Sequence, residues 1–154
     1  MHEIAVLLYN VRSAHNVGSI FRTADAAGVS RLYLSGYTPS PTDRFSRTHK
    51  EIAKTALGAA QFVPWERIAS FGALVSKLKR AGWKIVGVEQ DKRAVDYRTF
   101  RPKAKTLFVF GNEVRGIPKG LRAKCDVLVE IPMHGTKESL NVAVAAGIIL
   151  FASR

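Results

Sequence analysis

The chain has 154 residues, with 24 Lys or Arg against 12 Asp or Glu and a formal charge of +12. Its 47% hydrophobic content excludes a disordered chain, and its length suits one domain with a real core. The charge favours a polyanionic partner, nucleic acid ahead of a membrane surface, with a solvated basic face as the plain alternative. Cys125 is the single cysteine, so an internal disulfide is excluded. The short apolar start has no basic leader and reads as a strand, which makes the cytoplasm the expected location.

Strands and helices alternate along the chain. Ile4 to Tyr9 is a continuous apolar run, as expected for a strand covered on both faces. Asn16 stands as an N-cap. Val17, Ile20, Phe21, Ala24 and Ala27 share one face of the helix that follows, and Gly28 is its stop. Arg31 to Leu34 reads as a second strand and 36–42, with Pro39 and Pro41, as a loop. A basic stretch with Arg44, Arg47, His49, Lys50 and Lys54 leads into a short helix at 53–60, then a short strand at 61–64. Ile68, Phe71, Leu74, Val75 and Leu78 mark an amphipathic helix ending near Gly82. Strands at 84–88 and 106–110 flank a polar, basic loop from Asp91 to Lys105, and a helical turn or two at 118–124 precedes the last strand, Val127 to Ile131. The final helix opens at Ser139 and is apolar on nearly every side through Phe151. It is too short to cross a bilayer. It therefore packs on the sheet with one face and on something else with the other, such as a second copy of the chain.

This alternation predicts an α/β fold, a mainly parallel sheet flanked by helices, as one domain over 1–154. In such sheets ligands bind beyond the carboxyl ends of the strands. The loops from Glu89, from Gly111 to Gly116 and from Pro132 to Glu138 all follow predicted strands and are the candidate site. The two glycines at 111 and 116 have the spacing of a phosphate loop, but Ile117 and Pro118 stand where Lys and Ser or Thr are needed. No GxGxxG follows a strand, the four histidines lack metal-ligand spacing, and no GxSxG elbow supports Ser139 as a nucleophile. A polar set remains: Asn16, Arg22, Glu113, Ser139 and Asn141. Each has a plain alternative. Asn16 and Ser139 serve as caps, Arg22 as a surface arginine, and Glu113 as an acceptor for loop amides.

Taken together these residues form a pattern. Asn16-x-Gly18-x-x-x-Arg22, Phe110-Gly111-Asn112-Glu113-x-x-Gly116 and Ile131-Pro132-Met133-x-Gly135-x-x-x-Ser139-Leu140-Asn141-Val142 closely resemble the three motifs of the SpoU/TrmH family, in order, across essentially the whole chain. These are SPOUT-class RNA ribose 2′-O-methyltransferases. The resemblance implies a deep C-terminal trefoil knot, S-adenosylmethionine bound in it, and a homodimer. It implies that Arg22 acts on the ribose 2′-hydroxyl from the opposite protomer, with Asn16, Glu113, Ser139 and Asn141 supporting the geometry. A guanidinium holds its proton tightly, so Arg22 either stabilises a developing alkoxide or acts as a base only with help from an RNA phosphate. Groups around Val88, Glu89, Gly111, Ile131, Met133, Ser139 and Leu140 would hold the cofactor, with Gly111 and Gly135 allowing close backbone approach. No metal is implied. RNA would be gripped through phosphates by Arg12, Arg44, Arg47 and Lys50, and by Arg93, Arg98, Arg101 and Lys103. The expectation is a core domain without the added RNA-recruiting domain of longer relatives. Its third motif is closer to the tRNA guanosine and rRNA branch than to the wobble-position branch. A knotted RNA-binding or assembly protein without catalysis is the other class that fits.

Overall fold

The computed structural model describes residues 2–154. Seven parallel strands form one sheet in the order β3-β2-β1-β6-β4-β7-β5. They are β1 (Glu3–Tyr9), β2 (Arg31–Ser35), β3 (Trp65–Ile68), β4 (Lys84–Val88), β5 (Val95–Asp96), β6 (Lys105–Phe110) and β7 (Val127–Glu130). The helices are α1 (Ala14–Ala26), α2 (Lys50–Ala56), α3 (Phe71–Arg80), α4 (Lys119–Arg122) and α5 (Val142–Ala152). β1 is apolar from Ile4 onward because both of its faces are covered there. Ile4, Val6 and Leu8 enter a core with α1, α2 and α5, while Ala5 and Leu7 enter one with α3 and α4.

Several sequence expectations shift. The N-cap of α1 is Ser13, whose side chain accepts from the Asn16 amide at 3.1 Å; Asn16 lies inside the first turn. The last helix begins at Val142, not Ser139, because Asn141 caps it by accepting from the amides of Ala143 and Val144 at 2.8 and 3.3 Å. Gln61 ends a single 3-10 turn, and the strand expected at 61–64 is instead Trp65–Ile68. That edge strand is half polar, so its alternation is weak in the sequence. Ile68 belongs to it, and Ser70 caps the helix that follows, accepting from the Ala73 amide at 3.2 Å. A two-residue strand, β5, sits within the segment expected to be loop.

The interior contacts that set the site are short-range in space and long-range in sequence. α1 lies against α2 so closely that a Cβ on Gly18 would come within 1.9 Å of Thr55 Oγ1 and 2.4 Å of the Ile52 carbonyl oxygen. α5 packs on α1 and buries Ala146, Ile149 and Leu150. Its other side stays open, with Val144 51% and Phe151 54% exposed. Among the described residues no helix is long and apolar enough to cross a membrane.

Candidate active site

The loops after β4, β6 and β7 converge because those strands are neighbours, with β4 paired to both others. They enclose a cleft of about 240 Å³ at the carboxyl end of the sheet. Val88, Glu89, Gly111, Glu113, Ile131, Met133, Ser139 and Leu140 all line it, and Val142 and Ala145 of α5 close one side. Among the described residues, the backbone from Pro132 to Leu140 makes no hydrogen bond within the chain. Its amides and carbonyls are free for a ligand.

Glu113 ties the cleft to the start of α1. Its Oε1 accepts from the Arg12 amide at 2.9 Å. Its Oε2 accepts from the Ser13 amide at 2.8 Å and from Asn16 Nδ2 at 3.3 Å. Asn16 Oδ1 in turn accepts from Asn141 Nδ2 at 3.1 Å. Three segments, the start of α1 and two lying about a hundred residues further along the chain, are thus linked side chain to side chain. Burial pushes the Glu113 carboxyl up, but the amides of Arg12, Ser13 and Glu113 itself, with the Asn16 side chain, outweigh it and hold the group below its ordinary value. A carboxylate at a helix N-terminus also faces the positive end of the dipole.

The 111–117 turn is shaped by its own backbone. Asn112 and Gly116 exchange hydrogen bonds at 3.2 and 2.9 Å, and Asn112 Oδ1 accepts from the amides of Val114 and Arg115. A Cβ on Gly111 would lie 2.4 Å from the Gly116 carbonyl carbon, and one on Gly116, at φ +65°, 2.1 Å from Glu89 Oε2. Glu89 Oε2 accepts from the Ile117 amide at 2.7 Å, so its side chain braces the turn. Gln90 Nε2 donates to the Ile131 carbonyl at 2.8 Å and joins the β4 and β7 loops. By contrast, a side chain on Gly135 would meet nothing within 4 Å.

Arg22 does not reach this cleft within its own chain. It is exposed on α1, in a separate hollow with His15, Ser19, Lys54, Leu57 and Phe151. Arg12, Arg44, Arg47 and Lys50 are all exposed. Arg47 is paired with Asp43 at 2.7 Å, and other basic residues are likewise occupied locally. Arg93 pairs with Asp91 at 3.2 Å, Arg98 with Asp96 at 2.5 Å, and Arg101 donates to the carbonyls of Arg98 and Phe100.

Several contributors escape a sequence reading. Asn112 Nδ2 donates to the Asn10 carbonyl at 2.9 Å and to Tyr37 Oη at 3.0 Å, joining the β1, β2 and β6 loops. Arg67 of β3 donates to the carbonyls of Gly36 and Thr38 and to Ser40 Oγ, ordering the loop after β2. Arg122 and Gln90 also line the cleft. The Gly-Asn-Glu string is the signal that could have singled out Asn112; nothing local in the sequence marks Arg67.

Residues 3–151 match the model of the SpoU rRNA Methylase family. The chain is 34% identical over 151 residues to the 23S rRNA (guanosine-2'-O-)-methyltransferase RlmB of Neisseria meningitidis serogroup B, covering 98% of this chain and 58% of that protein. An AdoMet-bound rRNA methyltransferase from Sinorhizobium meliloti superposes with a TM-score of 0.86 at 35% identity, over 99% of this chain and 57% of that one. The A. aeolicus TrmH/SpoU tRNA modifying enzyme superposes with a TM-score of 0.85 at 30% identity, over 99% and 74%. The chain therefore spans little more than half the length of the curated relatives it matches. A match over nearly every residue, on a parallel sheet whose loops build one cleft from the second and third motifs with the first tied to them through Asn16, shows that this chain belongs to the SpoU family.

Proposed function

We infer that the chain is an S-adenosylmethionine-dependent ribose 2′-O-methyltransferase acting on tRNA or rRNA. The observation that carries this reading is the joining of the three motif segments through Glu113, Asn16 and Asn141 beside a cleft with unpaired backbone groups. The lining suits the cofactor. Val88, Ile117, Ile131 and Leu140 offer apolar walls for a nucleobase, and the free backbone between Met133 and Leu140 offers polar partners for its ribose and amino-acid ends. When bound, the cofactor supplies a sulfonium-activated methyl group.

The chain's own residues then have separable tasks. Glu89 and the turn 111–117 hold one wall rigid. Glu113, Asn16 and Asn141 hold the starts of α1 and α5 against it. Arg22 belongs to the reaction as a donor to the developing 2′-alkoxide, a role of electrostatic stabilisation. Since Arg22 stands away from its own cleft, the second copy of a homodimer brings it to the site. The exposed Leu57 and Phe151 beside it, with Val144 along the same helical face of α5 as Phe151, are apolar surface that such a copy would cover. The 131–142 segment and the 111–117 turn line one cleft, the placement a C-terminal trefoil knot would give them. Arg12, Arg44, Arg47 and Lys50 hold RNA phosphates, which predicts binding that weakens steeply with salt.

Calorimetry with S-adenosylmethionine, followed by methylation of unmodified total RNA and mapping of the product nucleotide, tests the reading. The expected result is cofactor binding and one ribose-methylated site. Arg22→Ala should lose methyl transfer and keep cofactor affinity. Failure of the wild-type chain to bind the cofactor would instead favour a non-catalytic RNA-binding protein.

A further inference from the structure

Residues 42–48 form a small hairpin on the loop that follows β2, at the same carboxyl edge as the cleft but outside it. Thr42 and Thr48 pair as an antiparallel bridge. Asp43 builds the tip. Its Oδ1 accepts from the amides of Phe45 and Arg47 at 2.8 and 3.0 Å, its amide donates to the Arg47 carbonyl at 3.0 Å, and its carbonyl accepts from the Ser46 amide at 2.9 Å. Its Oδ2 takes Arg47 Nε at 2.7 Å. The tip is therefore formed before any ligand arrives.

Phe45 stands on that tip, 63% exposed. The guanidinium carbons of Arg44 and Arg47 lie 4.8 and 5.1 Å from its ring centroid. Among the described residues Arg44 has no acidic partner, so its charge is free. A phenyl ring left in water contributes nothing to the core, and nothing in the fold requires one here. With the guanidiniums lying over the exposed ring, an unpaired base stacks by moving one of them off a face, and the cations then meet the phosphates on either side of that base. A duplex does not offer this, because its base faces are already covered.

We propose that Phe45 is a stacking platform for an unpaired base of the RNA, with Arg44 and Arg47 holding the phosphates that flank that base. This rests on the RNA reading above and deepens it: the substrate is single-stranded at the hairpin. β1 and β6 separate β2 from β4, so the stacked base is a neighbour of the methylated nucleotide and not the nucleotide itself.

The test compares wild type, Phe45→Trp, Phe45→Leu and Arg44→Ala for binding of a labelled single-stranded oligouridylate and of a duplex RNA, over a salt series. Thermal melts confirm the fold. Phe45→Leu, apolar but without a π face, should bind the single strand about tenfold less tightly with an unchanged salt slope. Phe45→Trp should retain affinity, and its fluorescence should be quenched by the oligonucleotide. Arg44→Ala should reduce the salt slope. Duplex binding should not respond to Phe45→Leu. Equal single-strand affinity for Phe45→Leu and wild type, or an equal loss on duplex, overturns the proposal. If that happens while the wild-type chain binds S-adenosylmethionine and methylates RNA, the platform alone falls. If Phe45→Leu loses the single strand but the wild type binds no cofactor, the platform stands and the methyltransferase reading falls.

Discussion

Replacing Glu113 by Gln removes one charge and keeps the shape. The carboxylate accepts from the amides of Arg12 and Ser13 at 2.9 and 2.8 Å and from Asn16 at 3.3 Å. Hydrogen bonds to a charged group contribute about 1.5–3 kcal/mol each when well buried. The Arg12 bond is exposed and the Asn16 bond is long, so solvent screening reduces the set to about 2–3 kcal/mol. Glutamine keeps one acceptor and turns its own N–H groups toward a backbone amide, so most of that contribution is lost. For a domain of this size 1 kcal/mol shifts Tm by about 2–4 °C. Glu113→Gln should therefore melt about 4–8 °C below wild type at neutral pH, with methyl transfer reduced as the start of α1 loosens. Because the folded carboxyl titrates below its ordinary value, its contribution is complete above the unfolded value of about 4.3 and is lost as pH falls through the folded one. The gap between wild type and Glu113→Gln should stay constant from pH 7 to about 5 and close only below that. Urea denaturation at several pH values reads this directly. A neutral-pH difference under about 0.5 kcal/mol, or a gap that widens on acidification, would refute the reasoning.

Gly18→Ala places a methyl group against Thr55 and the Ile52 carbonyl, so α1 and α2 must part at a cost of about 1–3 kcal/mol; an unchanged urea midpoint would contradict this. Gly116→Ala combines left-handed strain of about 1–2 kcal/mol with a collision with Glu89, and calorimetry should show cofactor affinity reduced at least tenfold. Phe151→Glu should leave cofactor binding intact but yield a monomer by sedimentation equilibrium, with methyl transfer abolished. A dimer that survives this change has its interface elsewhere.

Helix periodicity and continuous apolar runs were enough to find β1, β2, β4, β6, β7, α1 and α3 within a residue or a few at their ends, because these elements bury a whole face or both. β3 and β5 were misplaced or missed for the opposite reason. Trp65–Ile68 is half exposed and Val95–Asp96 is two residues long, so neither leaves a pattern. Caps were read three residues late at Asn16 and two early at Ser139, since Ser13 and Asn141 are equally good cap residues and only backbone geometry chooses between them.

The alternation of strand and helix patterns determined an α/β chain, composition a basic charge, and the motif strings a set of five polar residues. Strand order was decided only by the tertiary structure, because pairing joins residues that no local pattern relates. From that order follow the convergence of three loops on one cleft, the link from Asn141 through Asn16 to Glu113, and the separation of Arg22 from its own cleft. A side chain's neighbours across a parallel sheet depend on which strand inserts between which, and hydrophobic periodicity is the same for every such insertion.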